Sequence, residues 1–206
     1  MSLMDRTAGQ TPSRGVSDSL PIQDSGPPPS PEVIKRKVCL LGEQFVGKTS
    51  LIHRFVTGSF DESYIRTLGA TVTKKAVDVC GPDGHLLRVD MMILDIMGKQ
   101  TFLQLFKDAY FSGAKGVLAV FDLTCKGSLE NLVRWVDGLR DTVGPIPVVA
   151  LGNKLDLTDR IEVDDRAIEA VLGPLGIPVV KTSAKTGENV EEAFIGLARD
   201  IVEESR

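Results

Sequence analysis

Residues 42–49, with the sequence G-E-Q-F-V-G-K-T, determine how this chain folds. They match the pattern G-x-x-x-x-G-K-[ST] of a phosphate-binding loop. The apolar run 37–41 precedes them as a strand would, and residues 50–56 follow with helical spacing. Backbone N–H groups in such a loop, together with the positive end of the next helix, bind phosphate oxygens. The stretch therefore predicts a nucleoside triphosphate site, and its context disfavours the alternative of a glycine turn that only ends a strand.

Individual side chains of this loop have roles that their chemistry predicts. Lys48 would reach the outer phosphates, and the hydroxyl of Thr49 would bind Mg²⁺. Downstream, Asp95 follows an apolar run at the end of a predicted strand, where phosphate-loop enzymes hold Mg²⁺. The residues of the loop predicted to contact the nucleotide are Gln44, Phe45, Val46, Gly47, Lys48, Thr49 and Ser50.

Composition limits the function classes to consider. The net charge of −4 over 206 residues argues against nucleic acid as the main partner. No apolar run approaches the ~18 residues of a membrane-spanning helix, so no transmembrane segment is expected, and the N-terminus lacks the apolar core of a signal peptide. The three cysteines lack metal-ligand spacing. We therefore expect a cytoplasmic protein in a reducing compartment.

The chain divides into two parts by composition. Residues 1–31 are rich in Ser, Pro, Gly and Asp and are predicted to form a disordered tail. Residues 32–206 are predicted to form one globular domain. After two strands joined by a turn at 81–84, strand and helix patterns alternate, including a buried strand at 147–151. This predicts an α/β fold of the P-loop NTPase type, with a mainly parallel six-stranded sheet and helices on both faces.

Polar motifs follow the last two predicted strands, at the sheet edge where such folds bind ligands. They are N-K-L-D at 153–156 and T-S-A-K at 182–185. Guanine presents an N1–H and a 2-amino group that one carboxylate can accept together, whereas adenine offers no such pair. Asp156 is therefore predicted to select guanine, and the N–H groups of 182–185 would donate to its 6-oxygen.

Other residues of these motifs would shape the same pocket. Asn153 would tie the loops together, and the aliphatic stem of Lys154 would cover the base. Each motif alone also fits an ordinary polar loop, but their order after a phosphate loop favours a base site. The residues predicted to bind the base are Asn153, Lys154, Asp156, Ser183, Ala184 and Lys185.

With these motifs in order, the chain from about residue 33 to 206 resembles the Ras superfamily of small GTPases, the Ras and Rab branches most of all. T-L-G at 67–69 and D-I-M-G at 95–98 also match. The resemblance implies a small G-protein fold and a GTP-binding switch that hydrolyses GTP to GDP. It further implies that Phe60 packs on guanine and that Tyr64 closes over the phosphates.

The resemblance also implies two switch segments. Thr67 would bind Mg²⁺ and sense the γ-phosphate, and Gly98 would donate its N–H to that phosphate. The segments around Thr67 and after Gly98 would be ordered by GTP and released by GDP. An exchange factor, a GTPase-activating protein and effectors would bind there. The residues predicted to take part in catalysis are Lys48, Thr67, Gly98, Lys99 and Gln100.

Three departures from the family pattern affect the expected function. Ras and Rab proteins carry a water-orienting Gln after D-x-x-G, where this chain has Lys99 followed by Gln100. Lys99 in that place predicts slow intrinsic hydrolysis. The segment from Asp95 to 113–114 is one residue longer than in Rab proteins, however, and an insertion before the catalytic position would put Gln100 there instead. Gln44 replaces a Gly that faces an incoming arginine finger in Ras proteins. No cysteine precedes Arg206 closely, so no C-terminal prenylation is expected.

Two other functions remain open from the sequence. One is a GTP-binding interaction module with negligible hydrolysis, which Lys99 would favour. The other is an ATP-using phosphate-loop enzyme such as a kinase, against which Asp156 argues.

Overall fold

The computed structural model describes residues 32–61, 70–96 and 108–205. Within these ranges the strands and helices alternate as the sequence predicts. The strands are β1 (Glu32–Leu41), β2 (Ala70–Cys80), β3 (Leu86–Ile96), β4 (Ala114–Asp122), β5 (Val148–Asn153) and β6 (Val179–Lys181). The main helices are α1 (Lys48–Thr57), α2 (Lys126–Val143), α3 (Asp165–Leu172) and α4 (Val190–Glu204).

These strands form one six-stranded sheet in the order β2-β3-β1-β4-β5-β6. The β2–β3 pair is antiparallel, and every other neighbouring pair is parallel. The predicted α/β class and mainly parallel sheet are therefore confirmed. Strand boundaries differ from the prediction. β1 begins at Glu32, before the apolar run 37–41, and β5 runs from Val148 past residue 151 to Asn153, which pairs with Asp122 at the end of β4. The tail predicted at 1–31 lies outside the described residues, so the predicted division of the chain stays a prediction.

Helices cover both faces of the sheet, which explains the continuous buried apolar runs 38–41 of β1 and 117–121 of β4. Along β4, Leu118 and Val120 point into a first core shared with α1 and α4. Val117, Ala119 and Phe121 point into a second core shared with α2 and α3.

Aromatic side chains fix helices on each face. In the first core, the rings of Phe55 on α1 and Phe194 on α4 stack with centroids 4.1 Å apart. In the second core, the indole of Trp135 on α2 is fully buried. Among the described residues, no helix is both long and apolar enough to cross a bilayer.

Gly116 on β4 leaves the space that α4 occupies. A Cβ at this position would lie 2.6 Å from Ile201 Cδ1 and 3.1 Å from Leu197 Cδ1. We expect Gly116→Val to lower the free energy of unfolding by about 1–3 kcal/mol, the usual effect of overpacking a core. Urea unfolding would measure it.

The matched control is Gly196→Ala on α4, where an added Cβ meets nothing within 4 Å. This change should raise the free energy of unfolding by about 0.5–1 kcal/mol, because alanine favours a helix over glycine. A Gly116→Val protein as stable as the wild type would contradict the close packing of α4 on β4.

Candidate nucleotide-binding site

The phosphate loop joins β1 to α1 at the carboxyl edge of the sheet, and two glycines allow it to pack there. Gly42 has φ of 132°, and a Cβ would lie 2.1 Å from the carbonyl oxygen of Val120 on β4. Gly47 has φ of 98°, and its Cβ would lie 2.2 Å from Asn153 Nδ2 at the end of β5. Because side chains are excluded at both positions, the loop backbone lies directly against these two strand ends.

Lys48, the first residue of α1, places its ammonium inside this loop. Only 6% of the residue is exposed, and Nζ donates to the carbonyl oxygens of Gly42 at 2.9 Å and Glu43 at 2.6 Å. Burial lowers the pKa of Lys48 to about 8, while the nearby carboxylates of Asp95 and Glu43 act in the opposite direction. A phosphate in the loop would supply the negative charge that favours the protonated lysine.

Thr49 and Asp95 meet beside this lysine. Asp95 lies near the end of β3 and is 4% exposed, whereas Thr49 is exposed. The Thr49 hydroxyl donates a hydrogen bond to an Asp95 carboxylate oxygen. Hydroxyl and carboxylate oxygens are ligand types that Mg²⁺ accepts, together with phosphate oxygens and water. The pair therefore has the donor chemistry of the predicted metal site.

Asn153 connects the phosphate loop with the loop after β6. The residue is 2% exposed; its Nδ2 donates to the Val46 carbonyl oxygen at 2.8 Å, and its Oδ1 accepts from the Ala184 N–H at 3.1 Å. In the same region, the hydroxyl of buried Ser183 donates to the Asp156 carboxylate at 2.6 Å. The two motifs predicted to bind the base are thus hydrogen-bonded to each other and to the phosphate loop.

Lys154, which directly follows β5, is held by an ion pair to the neighbouring strand β4. Its backbone has φ of 70°, in the left-handed region that a lysine seldom adopts. Its Nζ lies 2.5 Å from Oδ2 of Asp122, the last residue of β4. Asp122 is itself fixed, because its Oδ1 accepts from both the N–H and the hydroxyl of Thr124 at 2.8 Å. The ion pair therefore directs the lysine stem along the ends of β4 and β5.

The remaining predicted site residues have varied positions. Phe60 is half-buried against the first core, and Ser50 is half-buried in α1. Gln44 is half-buried, and its Nε2 has no hydrogen-bond partner among the described residues. Phe45 is 60% exposed, with a left-handed φ of 67°. The residues that lie outside the described part of the chain, and whose roles stay predictions, are Tyr64, Thr67, Gly98, Lys99 and Gln100.

Several contacts of the site were not predicted from the sequence. Glu43 accepts a hydrogen bond from Asn131 at 2.8 Å, which connects the phosphate loop to α2. The sequence does carry a signal for Asp122: it is an acidic residue at the end of an apolar run, as Asp95 is. Arg54 on α1 donates to backbone carbonyls of the loop after β6, and no local pattern indicates such a contact.

This combination of a mainly parallel sheet, a phosphate loop after the first strand and polar motifs at later strand ends defines a protein of the P-loop nucleotide-binding class. The sequence model of the Ras family matches residues 37–203. Over 166 residues the chain is 35% identical to Ras-related protein Rab-8B of Dictyostelium discoideum, covering 80% of this chain and 79% of that protein. Identity to Ras-related protein Rab-13 of Canis lupus familiaris is 35% over 167 residues, or 81% and 79% of the two chains. The chain therefore belongs to the Ras family.

Membership in this family establishes the general activity. The chain is a GTP-binding, GTP-hydrolysing molecular switch, and regulator and effector proteins act with it. The family comparison does not favour the alternative of an interaction module with negligible hydrolysis.

The depressed pKa of Lys48 predicts how stability changes with pH in the nucleotide-free protein. Its folded-state pKa of about 8 lies below the ordinary 10.5, so within this window the unfolded state binds more protons. The lysine's contribution to the free energy of unfolding therefore rises with pH between these values. We expect the stability of the wild type relative to Lys48→Met to increase from pH 8 to 10.5 in urea titrations.

Other titrating groups cancel in this difference, including the Cys39 thiol, whose pKa burial raises to about 12. Lys115→Met, on an exposed lysine of β4, controls for the loss of a lysine as such. A difference between wild type and Lys48→Met that stays constant across the window would contradict a buried ammonium.

Proposed function

We propose that residues 42–50 bind the phosphates of GTP while 153–156 and 182–185 bind guanine. The hydrogen bonds of Asn153 to Val46 and Ala184 carry this proposal, because they fix the base motifs at a set position beside the phosphate loop. Phosphate oxygens would accept hydrogen bonds from the loop N–H groups and from Lys48. The positive N-terminal end of α1 would strengthen this binding of anions.

Guanine specificity is assigned to Asp156. Ser183 donates to one carboxylate oxygen, which orients the side chain. The carboxylate accepts from both the N1–H and the 2-amino group of guanine, whereas adenine would leave it facing a ring nitrogen without a hydrogen. The Ala184 N–H is held by Asn153, and the N–H of Lys185, the next residue of the loop, donates to the 6-oxygen. Phe60 and the Lys154 stem cover the faces of the base.

The Mg²⁺ site is assigned to Thr49 and Asp95, with Thr67 as the further ligand that the family resemblance implies. The contact between the Thr49 hydroxyl and the Asp95 carboxylate supports this assignment, because it gathers two hard oxygen donors beside Lys48. Mg²⁺ would neutralise phosphate charge there.

Hydrolysis in this site is attack of water on the γ-phosphorus. A new P–O bond forms, the bond to the bridging oxygen breaks, and GDP and phosphate leave. Lys48 and the loop N–H groups stabilise the negative charge that develops on the phosphate oxygens. Thr67 and Gly98 are assigned to sensing the γ-phosphate, and Lys99 occupies the place of the water-orienting glutamine.

Partner proteins are proposed to bind through the switch segments. Exchange factors, GTPase-activating proteins and effectors are the expected classes, with Gln44 altering the approach of an arginine finger. We also propose that the protein acts in the cytoplasm, which its free cysteines Cys39, Cys80 and Cys125 suit.

Asp156→Asn tests the assignment of base selection. It should lower the affinity for GDP by about 10³-fold or more, since two guanine donors lose the carboxylate. Affinity for xanthosine diphosphate should rise, because the amide N–H can donate to the 2-oxygen of xanthine. Titration calorimetry with both nucleotides would measure this exchange of preference.

Asp159→Asn, on an exposed carboxylate three residues further along the chain, is the matched control and should leave both affinities unchanged. Unaltered GDP affinity in Asp156→Asn would refute the proposed base site. Mass spectrometry of the nucleotide carried through purification gives an independent check.

The place of Lys99 predicts slow intrinsic hydrolysis. In single-turnover cleavage of bound GTP, Lys99→Gln should raise the rate by about 10- to 100-fold, since an amide orients the attacking water. Gln100→Ala should leave the wild-type rate unchanged. Ordinary Ras-like rates that Gln100→Ala abolishes would instead put Gln100 in the catalytic place.

A further inference from the structure

Arg54, in the last turn of α1, contacts two segments that border the proposed base pocket. Its Nε donates to the Ala184 carbonyl oxygen at 2.8 Å, and one terminal nitrogen donates to the carbonyl oxygen of Lys185. The other terminal nitrogen donates to the Gly58 carbonyl oxygen at 2.7 Å. All three acceptors are backbone carbonyls, so the guanidinium fixes main-chain positions.

These acceptors belong to two segments that the proposed function assigns to the base pocket. Ala184 and Lys185 belong to the loop whose N–H groups meet the guanine 6-oxygen in the proposed function. Gly58 caps α1 two residues before Phe60, which is assigned to the face of the base. A guanidinium is planar, and its donors point in fixed directions. Arg54 therefore sets the position of the loop after β6 relative to the segment that leads to Phe60.

Neighbouring contacts restrict this loop further. Gly187 has φ of 91°, and a Cβ there would lie 3.5 Å from Arg54 Cδ, so the loop passes close over the arginine stem. After the loop, α4 packs on α1 through the stacked rings of Phe55 and Phe194. The loop after β6 is thus held to α1 in two ways: Arg54 binds its carbonyl groups, and the helix that follows it, α4, packs on α1.

We propose that Arg54 is a positioning residue for guanine recognition: by binding the Ala184 carbonyl it orients the peptide group that carries the Lys185 N–H, so that this N–H meets the 6-oxygen. It acts through the backbone without contacting the nucleotide. This inference rests on the proposed assignment of 182–185 to the base and deepens it, because it names the group outside the motif that sets the loop geometry.

A nucleotide altered at one atom separates positioning from general stabilisation. In 6-thioguanosine diphosphate the N1–H and 2-amino groups remain for Asp156, while sulfur, a weaker acceptor, replaces the 6-oxygen. The ratio of the two dissociation constants, 6-thioguanosine diphosphate over GDP, therefore reports how well the loop N–H groups meet the 6-oxygen. A purely structural role of Arg54 would weaken both ligands equally and leave this ratio unchanged.

The experiment measures both dissociation constants for the full chain with Mg²⁺ present, in the wild type, Arg54→Met and Arg54→Lys. The wild type should prefer GDP. Arg54→Met should reduce that preference by about 3- to 10-fold, which corresponds to one misaligned hydrogen bond. Arg54→Lys keeps the charge and the aliphatic stem but donates from a single nitrogen, so an intermediate reduction is expected. This variant also allows the test to be made if Arg54→Met does not fold.

Arg134→Met, on an exposed arginine of α2, is the matched control and should keep the wild-type preference. If both Arg54 variants keep that preference, the positioning role is overturned while the proposed base site stands. A wild type that binds both nucleotides equally would overturn the contact of the loop with the 6-oxygen and this inference with it, whereas a wild type that binds neither would refute the proposed base site itself.

Discussion

The two hydrogen bonds of the Asn153 side chain are the contact on which the site geometry depends. One partner is a carbonyl of the phosphate loop, and the other is an N–H of the loop after β6. Both lie in a buried region, where an unpaired polar group would be destabilising. The approach is possible because Gly47 has no side chain. Since Asn153 is also the last ladder residue of β5, the register of the sheet determines the spacing between the phosphate loop and the base motifs.

Charge is distributed in this site for an anionic ligand. Lys48 and Asp95 are both nearly inaccessible to water, and the pKa of the lysine is lowered mainly by burial. Buried charges of this kind are destabilising by themselves and are common where a ligand completes the electrostatics. Toward the proposed base pocket, the Lys154–Asp122 pair and the Ser183–Asp156 hydrogen bond orient the side chains. These protein–protein contacts hold the charged side chains of the site in fixed positions.

The sequence predicts the elements and motifs well where the information is local. The glycines, Lys48 and Thr49 of the phosphate loop follow from backbone and phosphate chemistry, and Asp95 from its place near a strand end. Contacts that depend on strand order do not follow in this way. The pairing of Asp122 with Lys154 requires β4 beside β5, and the apolar run alone ends β5 before Asn153, although the ladder continues. Arg54 reaches across 130 positions of sequence to Ala184, so its contact appears only after folding.

Trp135 provides an intrinsic fluorescent probe of the fold. It is the single tryptophan of the chain, and it is buried in the second core, whereas α1, which follows the phosphate loop, packs in the first. Indole fluorescence responds to the polarity and packing around the ring. Its emission therefore monitors the integrity of the α2 side of the sheet, and a nucleotide with its own fluorophore can be followed separately. Unfolding and ligand release can then be observed as two distinct optical signals in one sample.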